Sequence, residues 1–162
     1  MQCVGHHLQI YAHNNAGPDR DLFARSAYNR YYYGCFLMLR EAFREMDSAW
    51  IHSPHKSYPE ILSGQIARRL KHERRAAQKL GDTDLTKTID SALRAIPKIC
   101  EIIKEAYATR VVADYEPSIQ VCFRGENRFS LNDIEISKAH QWQNRMQILI
   151  SAVLTAWRQV NA

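Results

Sequence analysis

Between Asp21 and Met46 the chain reads DLFARSAYNRYYYGCFLMLREAFREM, a run without proline and with a single glycine, Gly34. Counting tyrosine as apolar, only Asn29 and Arg30 are polar between Tyr28 and Leu39. Three successive tyrosines would suit a strand, but a run of this length with no turn residue favours a helix. A helix that is apolar all round, in a chain that lives in water, has to be enclosed by other helices. That requirement predicts an all-α fold with the tyrosine-rich helix at its centre. Gly17-Pro18-Asp19 supplies the turn before it, and Gly34, lacking a Cβ, admits a close neighbour.

The rest of the chain offers the enclosing helices. Asp47 to Tyr58 carries turn chemistry and two histidines, His52 and His55, and reads as a loop. Ser57-Tyr58-Pro59-Glu60 has the form of a capping box with proline in the first turn, so a helix should start there and run through Ile61, Leu62, Ile66 and Leu70 to Gly81. Thr83 or Asp84 should cap the next helix, whose inward stripe is Ile89, Leu93, Ile96, Cys100, Ile103, Tyr107, Arg110 and Asp114. Pro97 should kink that helix or mark its true start, and Glu116-Pro117 should end it. Ile119 to Phe123 is β-like and leads into Arg124-Gly125-Glu126-Asn127, a small hairpin or irregular loop. Asn132 and Glu135 should cap a last helix, with Ala139, Trp142, Met146, Leu149, Ile150, Val153 and Trp157 facing inward. The expected architecture is a compact all-α bundle of about four to five long helices with one short irregular or hairpin insertion. It forms a single domain over residues 1–162, in which 130–160 is a C-terminal packing helix.

Composition narrows the function classes. Arg30 and Arg40 bracket the longest apolar run, which falls short of the roughly 18 residues a membrane span needs. The first residues show neither a basic leader nor an apolar core, so a cytoplasmic protein is expected, without contact with a membrane. Cys3, Cys35, Cys100 and Cys122 form no Cys-x-x-Cys pair and read as free thiols. With no paired Glu-x-x-His, no glycine-rich phosphate loop and no Gly-x-Ser-x-Gly elbow, neither a metal nor a cofactor is expected. His6 and His7 receive no role. The net charge of +5 is concentrated: Arg68, Arg69, Lys71, Arg74, Arg75 and Lys79 face one acid, Glu73, and the remainder of the chain is balanced. Such a helix is either a solvated face or an electrostatic footprint for nucleic-acid phosphates, in which Arg68, Arg69, Lys71, Arg74 and Arg75 are the contacting residues.

Arg30 is the anomaly in the apolar run, because an unpaired buried guanidinium is very costly. Asp114, on the inward stripe of another helix, is the expected partner, with Arg110 one turn earlier on the same face. Arg30, Tyr33 and Asp114 then form a structural polar network, completed by the hydroxyls of Tyr31, Tyr32 and Tyr115.

Three stretches resemble the HEPN domains (higher eukaryotes and prokaryotes nucleotide-binding), and a small bacterial subset in particular. Asn29-Arg30-Tyr31-Tyr32-Tyr33-Gly34-Cys35-Phe36 resembles the Ser-Arg-Ala-Tyr-Tyr-Ala-Ala-Phe signature. Pro54-His55-Lys56 falls where that subset tends to have Thr-His and a small or basic residue, and Arg110-Val-Val-Ala-Asp114-Tyr115 is similar to its Arg-x-x-Ala-Asp-Tyr ending. Order and spacing agree over roughly residues 20 to 117. The resemblance implies a helical bundle that forms a homodimer and acts on RNA or a nucleotide. It also implies a setting in toxin–antitoxin or antiphage systems, with an antitoxin or a nucleotidyltransferase as partner. Members of the family that are metal-independent RNases follow an arginine, about four to six residues later, with a histidine for acid–base work at the 2′-hydroxyl and the leaving oxygen. Here Tyr115 stands in that position, and no histidine has an arginine at the required spacing. The resemblance therefore implies Arg110 and Tyr115 as catalytic residues, with His55 or His52 entering from the loop.

Overall fold

The computed structural model describes residues 1–125 and 128–161, so Glu126 and Asn127 of the expected loop lie outside the described residues. The fold is all-α. Its long helices are α1 (Gln2–Asn14), α2 (Arg20–Met46), α4 (Ala67–Leu80), α5 (Thr83–Tyr115) and α6 (Ile136–Val160), with one helical turn, α3 (Tyr58–Ile61), before α4. Strands β1 (Cys122–Phe123), β2 (Phe129–Leu131) and β3 (Ile134–Glu135) make a small antiparallel sheet in the order β1-β2-β3. Among the described residues, no helix is long and apolar enough to cross a membrane. The chain divides into two compact units, one of Met1–Leu37 with Glu105–Asn144, the other of Met38–Lys104 with the residues from Arg145 onward.

In the first unit, α1 is an addition to the expected helices. Its sequence has no strong apolar stripe, and it is held by close backbone approach instead: a Cβ on Gly5 would lie 2.9 Å from the Tyr31 ring on α2. Arg20 Nε closes its C-terminus by donating to the Ala12 carbonyl at 2.9 Å. Gly34 does admit a close neighbour, Gln143 of α6, whose Oε1 would sit 2.5 Å from an added Cβ. The sheet docks on α2 through Tyr28, whose hydroxyl donates to the Ile134 carbonyl at 2.6 Å. Asn132, expected to cap α6, instead forms with Asp133 the two-residue turn between β2 and β3; both have positive φ, which such a hairpin requires.

Around α2 the enclosure is incomplete. Ala24, Ala27, Tyr28, Tyr31, Tyr32, Cys35, Leu39 and Phe43 are buried, but Leu22 is 61% exposed and Leu37 and Arg40 also face solvent. The helix is therefore strongly buried on most sides with one open ridge, not apolar all round.

The second unit packs Phe43 of α2 against Tyr58 and Trp50, with ring centroids 4.7 and 5.8 Å apart, over a core that includes Leu62, Ile66, Leu70 and Ile89. The expected capping box does not form, because Ser57 Oγ donates back to the Pro54 carbonyl at 2.7 Å and a π-helical turn, Leu62–Ile66, separates α3 from α4. Gly81 ends α4 in the left-handed conformation (φ 72°), with Gly81 N–H donating to Gln78 and Asp82 N–H to Ala77, the paired bonds of a Schellman motif. Asp82, rather than Thr83 or Asp84, caps α5 by accepting from Leu85 N–H at 2.9 Å. Helix α5 runs unbroken through Pro97, whose ring is on the exposed side. Cys35 and Cys100 are buried free thiols and Cys3 and Cys122 exposed ones; burial pushes the Cys35 thiol up to about 12.

Candidate nucleic-acid interface

The polar centre of the first unit is Arg25. It is only 7% exposed, and its Nε donates to Asp21 Oδ2 at 2.5 Å. One terminal nitrogen donates to the carbonyls of Val112, Ala113 and Glu116 at 3.2 to 3.3 Å, and the other to that of Ile119. The Val112 carbonyl already accepts from Glu116 N–H at 3.2 Å, and Ala113 is one of the last carbonyls of α5 that the helix itself leaves open, where a cation also meets the negative end of the helix dipole. Asp21 Oδ1 in turn accepts from Val121 N–H at 3.1 Å, tying the chain after α5 to α2.

Arg30 does not play this part. It is exposed, has no ion pair among the described residues, and the expected bond to Asp114 is absent. Asp114 is engaged by two other groups. Arg110 Nε lies 2.7 Å from its Oδ2, and Asn29 Nδ2 donates to its Oδ1 at 2.5 Å. The Arg110 side chain is 20% exposed, and its guanidinium carbon stands 5.2 Å from the centre of the Tyr115 ring. Burial favours release of its proton, but Asp114, Tyr115 and Tyr33 together outweigh that and hold the guanidinium charged beyond its ordinary range. Tyr115 itself is 64% exposed. Of the residues expected to act together, Arg110, Asp114, Tyr115 and Tyr33 are thus associated in this unit. His55 belongs to the second unit, where it opens an exposed 3-10 turn, His55–Ser57; His52 is exposed at the end of the turn Ser48–His52.

In the second unit the basic helix separates into two sets. Arg74 makes a two-point contact with Asp90 of α5, at 2.5 and 3.4 Å, and Arg69 pairs with Glu73 at 3.3 Å. Its hydrogen bond to Arg74 is the main reason that Asp90 is held below the usual carboxylate range. Arg68, Lys71, Arg75 and Lys79 are exposed and, among the described residues, have no acidic partner. Their spacing of three, four and four residues puts them on one face of α4, about 16 Å long at the rise of an α-helix.

A third cluster, from α1, α2 and α6 of the first unit, joins residues that sequence reasoning left apart. The rings of His6 and His140 meet edge to face with centroids 5.1 Å apart. Tyr31 Oη donates to Gln9 Oε1 at 2.7 Å and lies 2.9 Å from His140 Nδ1. Burial, and then the charge of His6, holds the His140 imidazole below its ordinary value. No local pattern announces this cluster, because its members come from three distant segments. Among the described residues, no group of three or more His, Cys, Asp or Glu side chains is placed to hold a metal ion. No protein-family model matches the chain, no curated protein matches it in sequence, and no solved structure matches it in fold.

Proposed function

We propose that the chain is an RNA-directed protein of the HEPN type, working in a toxin–antitoxin or antiphage system, with a degenerate RNase motif at the end of α5. The observation that carries this reading is the α4 face: four exposed cations on one side of a helix with their neighbouring carboxylates spent on Arg69 and Arg74. Lysines and arginines in that state attract phosphates and release condensed counterions on contact. The tyrosine-rich α2 motif and the Arg110 to Tyr115 ending add the family resemblance. A dimer in the cytoplasm is part of the same reading.

A non-catalytic HEPN module that docks on a partner such as a nucleotidyltransferase is the second reading. The Arg110–Asp114 pair favours it, since an arginine neutralised by its own helix is poorly placed to stabilise the extra charge of a phosphorane. Fluorescence anisotropy with labelled tRNA and a single-stranded RNA tests the first reading. The wild-type chain should bind both at low salt, and the triple variant Arg68→Gln/Lys71→Gln/Arg75→Gln should bind at least about tenfold more weakly. Equal binding by the triple variant contradicts it, and absence of any binding by the wild type favours the partner-docking reading. Sedimentation of the purified chain as a monomer would remove the dimer.

A further inference from the structure

At the turn between α4 and α5, Gln78, Gly81, Asp82, Thr83, Thr86 and Lys87 line an open cavity of about 480 Å³, within the size range of small-molecule sites. Its wall is mostly carbon. Gly81 turns the chain at φ 72°, and a Cβ there would meet no atom within 4 Å, so the backbone of the turn lies open to a ligand. Gln78 follows Lys71 by seven residues, two helical turns, and therefore shares the face of α4 that carries Arg68, Lys71 and Arg75. The cationic row thus ends at the cavity. The polar groups around it are largely unspent. Among the described residues the Gln78 amide and the Thr83 hydroxyl have no hydrogen-bond partner. Asp82 Oδ1 accepts from Leu85 N–H at 2.9 Å, which fixes the carboxylate and leaves Oδ2 as an acceptor. Thr86 Oγ1 donates to the Asp82 carbonyl at 2.7 Å and keeps its lone pairs. Lys87 is held loosely, with Nζ 3.5 Å from Asp84 Oδ1 and both side chains more than three-quarters exposed.

We propose that this cavity binds the 3′-terminal nucleoside of an RNA strand through its free 2′,3′-diol, while the strand behind it lies along Arg75, Lys71 and Arg68. The proposal rests on RNA being the ligand of α4, and it says which part of the RNA the helix leads to. A ribose diol brings two O–H donors and no charge, and a fixed carboxylate with a free oxygen is the matching acceptor. The same carboxylate rejects a terminal phosphate, which would set close to two negative charges against Asp82. Phosphates inside the strand carry one charge each and fall on the cations of α4. Gln78 offers the base one acceptor and two donors, the carbon wall offers its ring a surface, and Lys87 supplies a cation for the last internucleotide phosphate. The site binds the end of the strand; no bond is made or broken in it.

The test measures anisotropy with the full chain and one short unstructured RNA, labelled at its 5′ end and prepared with a 3′-terminal diol, a 3′-phosphate or a 2′,3′-dideoxy end. Wild type should bind the diol RNA at least about tenfold more tightly than either of the others. Simple attraction to the basic face would act the other way and favour the extra phosphate. Asp82→Asn removes the charge and keeps the cap, because asparagine caps a helix as well as aspartate does. It should bring the diol and phosphate ends to within about threefold of each other. Gln78→Ala, at an exposed position where folding is not at issue, should weaken the diol RNA by about fivefold and leave the 3′-phosphate RNA unchanged. Equal affinity of the wild type for the three ends overturns the assignment of the cavity while leaving RNA on α4 standing. Full discrimination retained by Asp82→Asn, or Gln78→Ala weakening all three RNAs alike, likewise overturns it. An RNA that the wild type binds with none of these ends removes the RNA reading itself, and this site with it.

Discussion

Two arginines five residues apart on α2 have opposite fates, and the helical period explains why. Arg25 stands three residues before Tyr28 and seven before Tyr32, on the stripe that continues to Leu39 and Phe43, all buried. Arg30 shares its ridge with Leu37, Glu41 and Arg44, all exposed. Composition in a window points to Arg30; phase along the helix points to Arg25, and Asp21 one turn earlier is its partner. Arg25→Ala should therefore destabilise the fold by about 3 kcal/mol, since it strands a carboxylate and several carbonyls, whereas Arg30→Ala should stay within about 0.5 kcal/mol. Urea unfolding of the two variants checks both values.

Two histidines make stability depend on pH. Burial, then the charge of His6, lowers the pKa of His140, and burial, then Arg20, lowers that of His13. Below about pH 6.5 the unfolded chain gains protons that the folded imidazoles resist, so stability is full above that value and falls as the pH drops towards the folded pKa values. The urea midpoint should be lower at about pH 5.5 than at about pH 7.5. The double variant His13→Gln/His140→Gln should show a flatter dependence; an unchanged slope would mean that other groups carry it.

At the scale of elements, close approach at glycine distinguishes contacts that look alike in sequence. An alanine at Gly5 would press on the Tyr31 ring, which Gln9 and His140 hold in place, and should cost about 1 to 3 kcal/mol. At Gly34 the added carbon would meet the amide end of Gln143, a flexible side chain, while alanine improves helix propensity by about 1 kcal/mol, so Gly34→Ala should be close to neutral. Thermal unfolding of the two variants should separate them by several degrees. Long periodic helices were the legible part of this fold: α5 and α6 follow their apolar stripes, with Ile89, Ile96, Ile103, Ala139, Trp142, Met146 and Val153 buried as the period requires. Helix α1 escaped because close packing, not an apolar stripe, holds it. The Ser57 and Asn132 caps failed because each side chain or backbone found a nearer use, in a turn hydrogen bond and in a hairpin. In the candidate interface, the charge of α4 was readable but its division was not, since the carboxylate that removes Arg74 lies on α5.

For the whole molecule, the net charge of +5 is almost entirely that of one helix, and only part of that helix remains open to a ligand. Binding through such a face is a matter of counterion release more than of shape, so its signature is how affinity changes with salt. The most direct measurement of the central claim is the slope of log affinity against log salt for a single-stranded RNA, from about 50 to 200 mM, for the wild type and for Arg68→Gln/Lys71→Gln/Arg75→Gln. If α4 holds phosphates, removal of three contacts should make the slope shallower by about 2, at roughly 0.7 for each contact. Parallel slopes for the two proteins would contradict the account and take the nucleic-acid interface away from α4.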